Sequence, residues 1–104
     1  MADLDNYSIE VLSKNFELAS SPDFKVFREI LTQRIAYLIK YDFENLLWIL
    51  YRIDVDENSA MAVLADKETI NQAELLTDLI IQRQITKAET RQKYKSKNEG
   101  EGDY

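Results

Sequence analysis

The run FKVFREILTQRIAYLIKYDFENLLWILYRI, residues 24–53, is the densest apolar stretch of the chain, and its spacing decides the fold. At roughly 100° per residue, Phe24, Phe27, Leu31, Ile35 and Leu38 fall on one stripe. Val26, Ile30, Tyr37 and Tyr41 fall on a neighbouring stripe. Together the stripes cover about half of a helix circumference, which predicts a helix from about Pro22 to Lys40 packed against at least two others. Arg34 projects into the gap between them, so it must either reach water along its stem or meet a carboxylate. Asp42 is placed to cap a third helix, Phe43 to Ile53, which is apolar nearly all round and is expected to be the central one. Its polar strip holds Glu44, Asn45 and Arg52, and Trp48 lies inside that strip. Two readings of Trp48 stand side by side. It covers the edge of a bundle with its indole N–H in water, or it anchors a protein partner, as Trp does where interfaces concentrate their binding energy.

Working outward, Ser8 is a good N-cap for a first helix whose Ile9, Leu12 and Phe16 share a face, with residues 1–5 frayed before it. Ser20-Ser21-Pro22-Asp23 marks the boundary to the second helix, with Ser21 as cap and Pro22 in the first helical position. Asp54 with Glu57 forms a capping-box-like pattern for a short helix, about Val55 to Leu64, followed by a loop from Ala65 to Ile70. A last helix starts near Asn71 and runs to about Lys95. Ala73, Leu76 and Ile80 face the core, Leu75 and Leu79 lie beside them, and Ile81 and Ile85 fall on the back. One turn further on, the core face becomes Arg83, Lys87 and Arg91, so the helix is expected to outrun its core. Gly and Pro number two and one, and both glycines, Gly100 and Gly102, lie near the end. So few turn residues leave little room for a sheet. The expectation is an all-α, four- to five-helix bundle with a long C-terminal helix, a single domain over residues 1–97 and a disordered acidic tail over 98–104.

Chemistry is bounded by what is missing. The 104 residues contain no Cys and no His, which removes disulfides, thiolate zinc sites and Ser-His-Asp catalysis. Asp54-x-Asp56-x-Asn58 copies the first half of a calcium-binding loop. The second half has Ser59 where Gly makes the turn and Ala65 where a bidentate Glu is needed, so capping is the better reading. Glu74 and Asp78 lie one turn apart on the last helix, and a solvated acidic face explains them better than an acid–base pair. No cofactor, no metal ion and no small-molecule substrate is expected, and the chain is read as not an enzyme. The start, Met1 to Asn6, carries no basic segment or apolar core of a secretory leader. The longest apolar run, Leu46 to Tyr51, is far short of the ~20 residues that span a bilayer. A cytoplasmic location and no membrane contact are the matching expectations.

Charge is unevenly placed. Residues 1–82 hold 7 basic and 15 acidic side chains, a net −8, whereas residues 83–97 carry a net +5. The basic segment is either a solvated helix end, since cations favour helix C-termini, or an interaction surface.

The stretch Leu47-Trp48-Ile49-Leu50-Tyr51-Arg52-Ile53-Asp54-Val55-Asp56, with Ile80-Ile81-Gln82-Arg83-Gln84, resembles a family of short bacterial helical proteins. That resemblance covers about residues 24–94 and implies a helical fold but no activity. In class alone, the acidic helical body is similar to the bacteriocin immunity proteins, which mask basic toxins. Their Asp-Ser-Pro-Ser-Gly signature is absent here.

Three functional readings follow. The first is a non-catalytic protein-interaction module that self-associates as a homodimer, with Trp48, Arg52, Ile81, Ile85, Arg83, Lys87 and Arg91 as candidate contact residues. In the second, an acidic inhibitor or mimic grips a basic protein through its −8 body. The third is a nucleic-acid accessory protein using Arg83 to Lys97, weakened by an acidic body that repels phosphates.

Overall fold

Five helices form the chain, in the order α1 (Asn6–Phe16), α2 (Phe24–Tyr41), α3 (Phe43–Arg52), α4 (Glu57–Ala65) and α5 (Gln72–Gly100). The computed structural model describes residues 4–19, 23–65 and 71–100, the stretch 92–100 as backbone only, and these residues contain no strand. The fold is an all-α bundle. The caps expected at Ser21 and Pro22, the loop over 66–70 and the end of the tail, 101–104, lie outside the described residues. The last helix continues to Gly100, past the end expected near Lys95.

The pairing of α2 with α5 is the most extensive in the molecule; α3 packs on α2, and α4 and α1 pack on α5. The first α2 stripe explains this. Phe27, Leu31, Ile35 and Leu38 are all buried, in one apolar cluster with Leu76 and Ile80 of α5 and Leu12 and Phe16 of α1. Each such side chain contributes about 1.5–3 kcal/mol relative to leaving it exposed. The second stripe is not packed: Val26, Tyr37 and Tyr41 are exposed. Tyr37 instead lies 5.0 Å from Tyr41 and under Arg34.

Three sequence expectations are corrected here. Helix α3, expected at the centre, is peripheral: it buries Leu46, Ile49 and Leu50 and leaves its other side in water. The 29-residue α5 takes the central place because its length lets it run beside α1, α2 and α4. The second correction concerns the inward face of α5. Thr77 and Gln84 are buried in it, and so is Ile81 at 7 % exposure, while Leu75 is exposed. Ile81 was expected on the back, and Ile85 is half-buried against the core. The face turns because its polar members find partners. Thr32 Oγ1 lies 3.0 Å from Thr77 Oγ1, which in turn donates to the Ala73 carbonyl at 2.7 Å. Gln84 Nε2 donates to the Ile53 carbonyl at 3.2 Å. Bonded in this way, a polar side chain is tolerated in a core.

Helix starts were read a few residues off. Asp5, not Ser8, caps α1, accepting from the Ser8 N–H at 2.8 Å, and Leu4 before it is buried rather than frayed. Asp23 caps α2 through the N–H groups of Lys25 and Val26. Arg34 does meet a carboxylate, and it also binds a backbone carbonyl. Its Nε donates to the Phe16 carbonyl at 3.1 Å, with Glu17 Oε1 3.7 Å from the guanidinium, so it serves the C-terminus of α1. A cation there also meets the negative end of the helix dipole.

The burial pattern makes a quantitative prediction. Leu31→Ala and Leu50→Ala should each cost about 2–5 kcal/mol, while Leu75→Ala should stay within about 0.5 kcal/mol. Urea denaturation of the three variants checks the assignment; a large loss at Leu75 would place the wrong face of α5 inside.

Candidate interaction face

Helix α3 begins one residue after α2 ends. Asp42 makes that link; its N–H still donates to Leu38 and its carbonyl accepts from Leu46, so the chain turns without a loop. Its carboxylate makes no capping bond. The tight turn lays α3 against α2 through Leu46, Ile49 and Leu50. Phe43, Leu47 and Tyr51, spaced four apart, then point outward on one stripe, and Trp48 lies next to them. Trp48 is 62 % exposed and Tyr51 76 % exposed, their rings 5.8 Å apart. Trp48 is flanked by Glu44 and Leu47 on one side and by Asn45 and Arg52 on the other.

The corner after α3 builds the other wall of a groove. Asp54 ends the helix in the left-handed region, φ 66°. The Val55 N–H reaches back to the Leu50 carbonyl and the Asp54 N–H to Tyr51, and a short polar side chain tolerates that conformation better than a branched one. Asp54 is then held by α5: Arg83 donates to its carbonyl at 2.9 Å and to its carboxylate at 2.8 Å. Asp56, rather than Asp54, caps α4, taking the Ser59 N–H at 2.9 Å and the Ser59 hydroxyl at 2.8 Å. Between α3 and α4 this leaves an open groove of about 510 Å³. Leu47, Leu50 and Tyr51 line it from α3, Val55 from the corner, and Ala60 and Met61 from α4, with Asp54, Asp56 and Glu57 along its edge.

Arg83 and Arg91 of α5 meet carboxylates of their own chain. Arg83 holds Asp54. Arg91 lies 3.1 Å from Asp5 and over the Tyr7 ring at 4.5 Å. Lys87 is half-buried between them. Arg83, Lys87 and Arg91 do converge, with Tyr7 and Thr90, on a cleft of about 590 Å³ between α5 and α1. Among the described residues of α5, none beyond Ile85 belongs to the apolar core, as expected, and past that point Arg91 meets Asp5 and Tyr7 at the start of α1. Asp78, read as a solvated acid, pairs with Arg28 of α2.

Three carboxylates are held below their ordinary 3.8. At Asp54 the cause is the hydrogen bond from Arg83, then the charges of Arg83 and Lys87; at Asp56 it is the two hydrogen bonds from Ser59. For Asp5, burial works upward, and the Ser8 bonds with Arg91 together outweigh it. Among the described residues no three acidic groups cluster in a way that could hold a metal ion. Nor is any of their helices long and apolar enough to cross a membrane.

Comparison with protein-family models, with curated proteins and with solved structures finds no match.

Sequence reading singled out Trp48 and Arg52 on α3, and both lie on the exposed face. It missed Phe43, Leu47 and Tyr51, because a helix apolar nearly all round reads as buried nearly all round, and it missed Met61 on α4. The signal that was available is the one-residue turn at Asp42, which forces α3 against α2 and leaves one of its sides bare.

The depressed carboxylates set a pH dependence. A group whose folded pKa lies below its unfolded one contributes stability above the unfolded value and loses it as pH falls through the folded value. For Asp54 that loss falls below 3.8. The melting temperature of Asp54→Asn, which keeps the left-handed preference, should therefore trail the parent at neutral pH. The gap should narrow as the pH falls below 3.8; a gap that stays constant would disprove the Arg83 linkage.

Proposed function

We propose that this chain is a non-catalytic protein-interaction module that engages a protein partner through the outer face of α3. One observation carries the reading. On a ten-residue helix, Phe43, Leu47, Trp48 and Tyr51 are exposed while the opposite side builds the core. An apolar face of that kind, set among charged residues, marks interaction sites, and Trp with Tyr is the pair that such interfaces favour. The cysteine-free sequence is compatible with a reducing compartment, and this reading takes the module to act in the cytoplasm. Kinship with short bacterial helical proteins belongs to the proposal as well.

The support for self-association has shifted. Ile81 is buried, and Arg83 and Arg91 are paired within the chain. A homodimer would have to form through the α3 face. The acidic-binder reading gains support from the same face, whose groove is edged by carboxylates.

Trp48 is the sole tryptophan, so its emission reports directly on the face. Capture from host extract with the parent chain, with Leu47→Asp/Trp48→Asp and with the distant control Lys14→Glu should give a species retained by the parent and the control but lost by the double variant. The purified species should then shift Trp48 emission to the blue, and light scattering shows whether it is a second copy of the chain. A captured set indifferent to the α3 changes would refute the proposal.

A further inference from the structure

The groove between α3 and α4 has a chemical character that narrows what enters it. Its floor is apolar, made by Leu50, Val55 and Ala60, and its three large exposed side chains stand on opposite helices, Leu47 and Tyr51 on α3 and Met61 on α4. Met adapts its shape to what it contacts, a property of surfaces that receive other helices. The edge is acidic. Residues 42–65 contain five acidic side chains, Asp42, Glu44, Asp54, Asp56 and Glu57, against the single cation Arg52. Asp54 is neutralised by Arg83. No ion pair engages Glu44, Asp56 or Glu57 among the described residues, and Asp56 is held below its ordinary pKa, so its charge persists into acid.

The dimensions suit a helix. Phe43, Leu47 and Tyr51 are four residues apart, which puts their backbone positions about 6 Å apart along α3. A partner helix with apolar residues at i, i+4 and i+7 presents a ladder of nearly the same pitch. We propose that this groove receives one amphipathic helix of net positive charge from a protein partner. Its apolar ladder seats against Leu47, Tyr51 and Met61, and its flanking lysines or arginines meet Glu44, Asp56 and Glu57. The proposal rests on the α3 reading above and adds the chemistry of the partner to it. Like-charged helices are turned away by the same carboxylates, so the edge selects as well as attracts.

Three synthetic helical peptides of about four turns test it. One carries the apolar ladder flanked by Lys, the second the same ladder flanked by Glu, and the third has the Lys composition with the ladder scrambled. Titrations against the full chain are followed by Trp48 emission and by anisotropy of labelled peptide. The Lys-flanked ladder should bind at least about tenfold tighter than the Glu-flanked one, and added salt should narrow the difference. The scrambled peptide should not saturate. Met61→Asp should abolish binding, and Glu44→Lys/Glu57→Lys, both exposed and outside the caps, should invert the preference between the two ladders. Equal binding of both ladders would overturn the charge selection and leave the α3 reading standing. A scrambled peptide that binds as well as the ladder would reduce the effect to general attraction to an acidic body and overturn the groove. If no peptide binds while the Trp48-dependent species is still captured, the groove is wrong and the module reading survives. A dimer by light scattering that Tyr51→Asp dissociates and the Lys ladder fails to displace would assign the groove to a second copy and overturn the proposal.

Discussion

The contact between α2 and α5 is the constraint on which the rest of the molecule depends. Four α2 side chains, Phe27, Leu31, Ile35 and Leu38, lie at or below 2 % exposure in one cluster with Leu76 and Ile80. Apolar burial is the larger contribution, at about 1.5–3 kcal/mol for each side chain. The bonded pair of Thr32 and Thr77 adds about 0.5–1.5 kcal/mol at most. Its role is register. Each hydroxyl also reaches a carbonyl of its own helix, Thr32 to Arg28 and Thr77 to Ala73, so the contact between the two marks where α2 and α5 face each other. Arg28 with Asp78 lies next to it and marks the same register at the edge, where solvent screens the charges.

With that register fixed, α5 reaches the other elements at set points along its length. Gln84 meets the last carbonyl region of α3 at Ile53, and Arg83 meets Asp54 one residue on. Two consecutive α5 residues thus hold the corner between α3 and α4, which is what shapes the groove. Eight residues beyond Arg83, Arg91 holds the cap of α1 through Asp5 and Tyr7. Arg83 and Arg91 therefore work as internal fastenings, while Glu44 on α3 and Asp56 and Glu57 at the start of α4 face solvent.

Much of the fold was legible in the sequence. The three- and four-residue spacing of Phe24, Phe27, Leu31, Ile35 and Leu38 marked a core stripe; the last four are buried and Phe24 is half-buried against them. Scarcity of Gly and Pro pointed away from a sheet, and among the described residues there is none. Where the reading slipped, the causes are physical. Thr77 and Gln84 are polar by composition but bonded inside the core, so the face of α5 was set one position away and Ile81 was placed outside. Caps were sought at Ser8 and Asp54, whereas Asp5 and Asp56 perform them. Several Ser and Asp residues compete at each start, and only the backbone geometry chooses among them.

The candidate face shows the same division more sharply. By itself the sequence determined that α3 is apolar all round, that Trp48 and Arg52 share its polar strip, and that the chain lacks Cys and His chemistry. These follow from local spacing and composition, which depend on no distant residue. The polar strip already named part of the side of α3 that faces water; that Phe43, Leu47 and Tyr51 stay outside as well was decided by tertiary structure. Two long helices, α2 and α5, form the most extensive pairing in the molecule, ahead of the pairing of α2 with the ten-residue α3. They take the centre, and α3 is left with one side covered. The narrow polar strip fixes one exposed edge of α3, while the apolar residues flanking that strip are covered only where a neighbour reaches them, and here Phe43, Leu47 and Tyr51 stay in water beside Trp48.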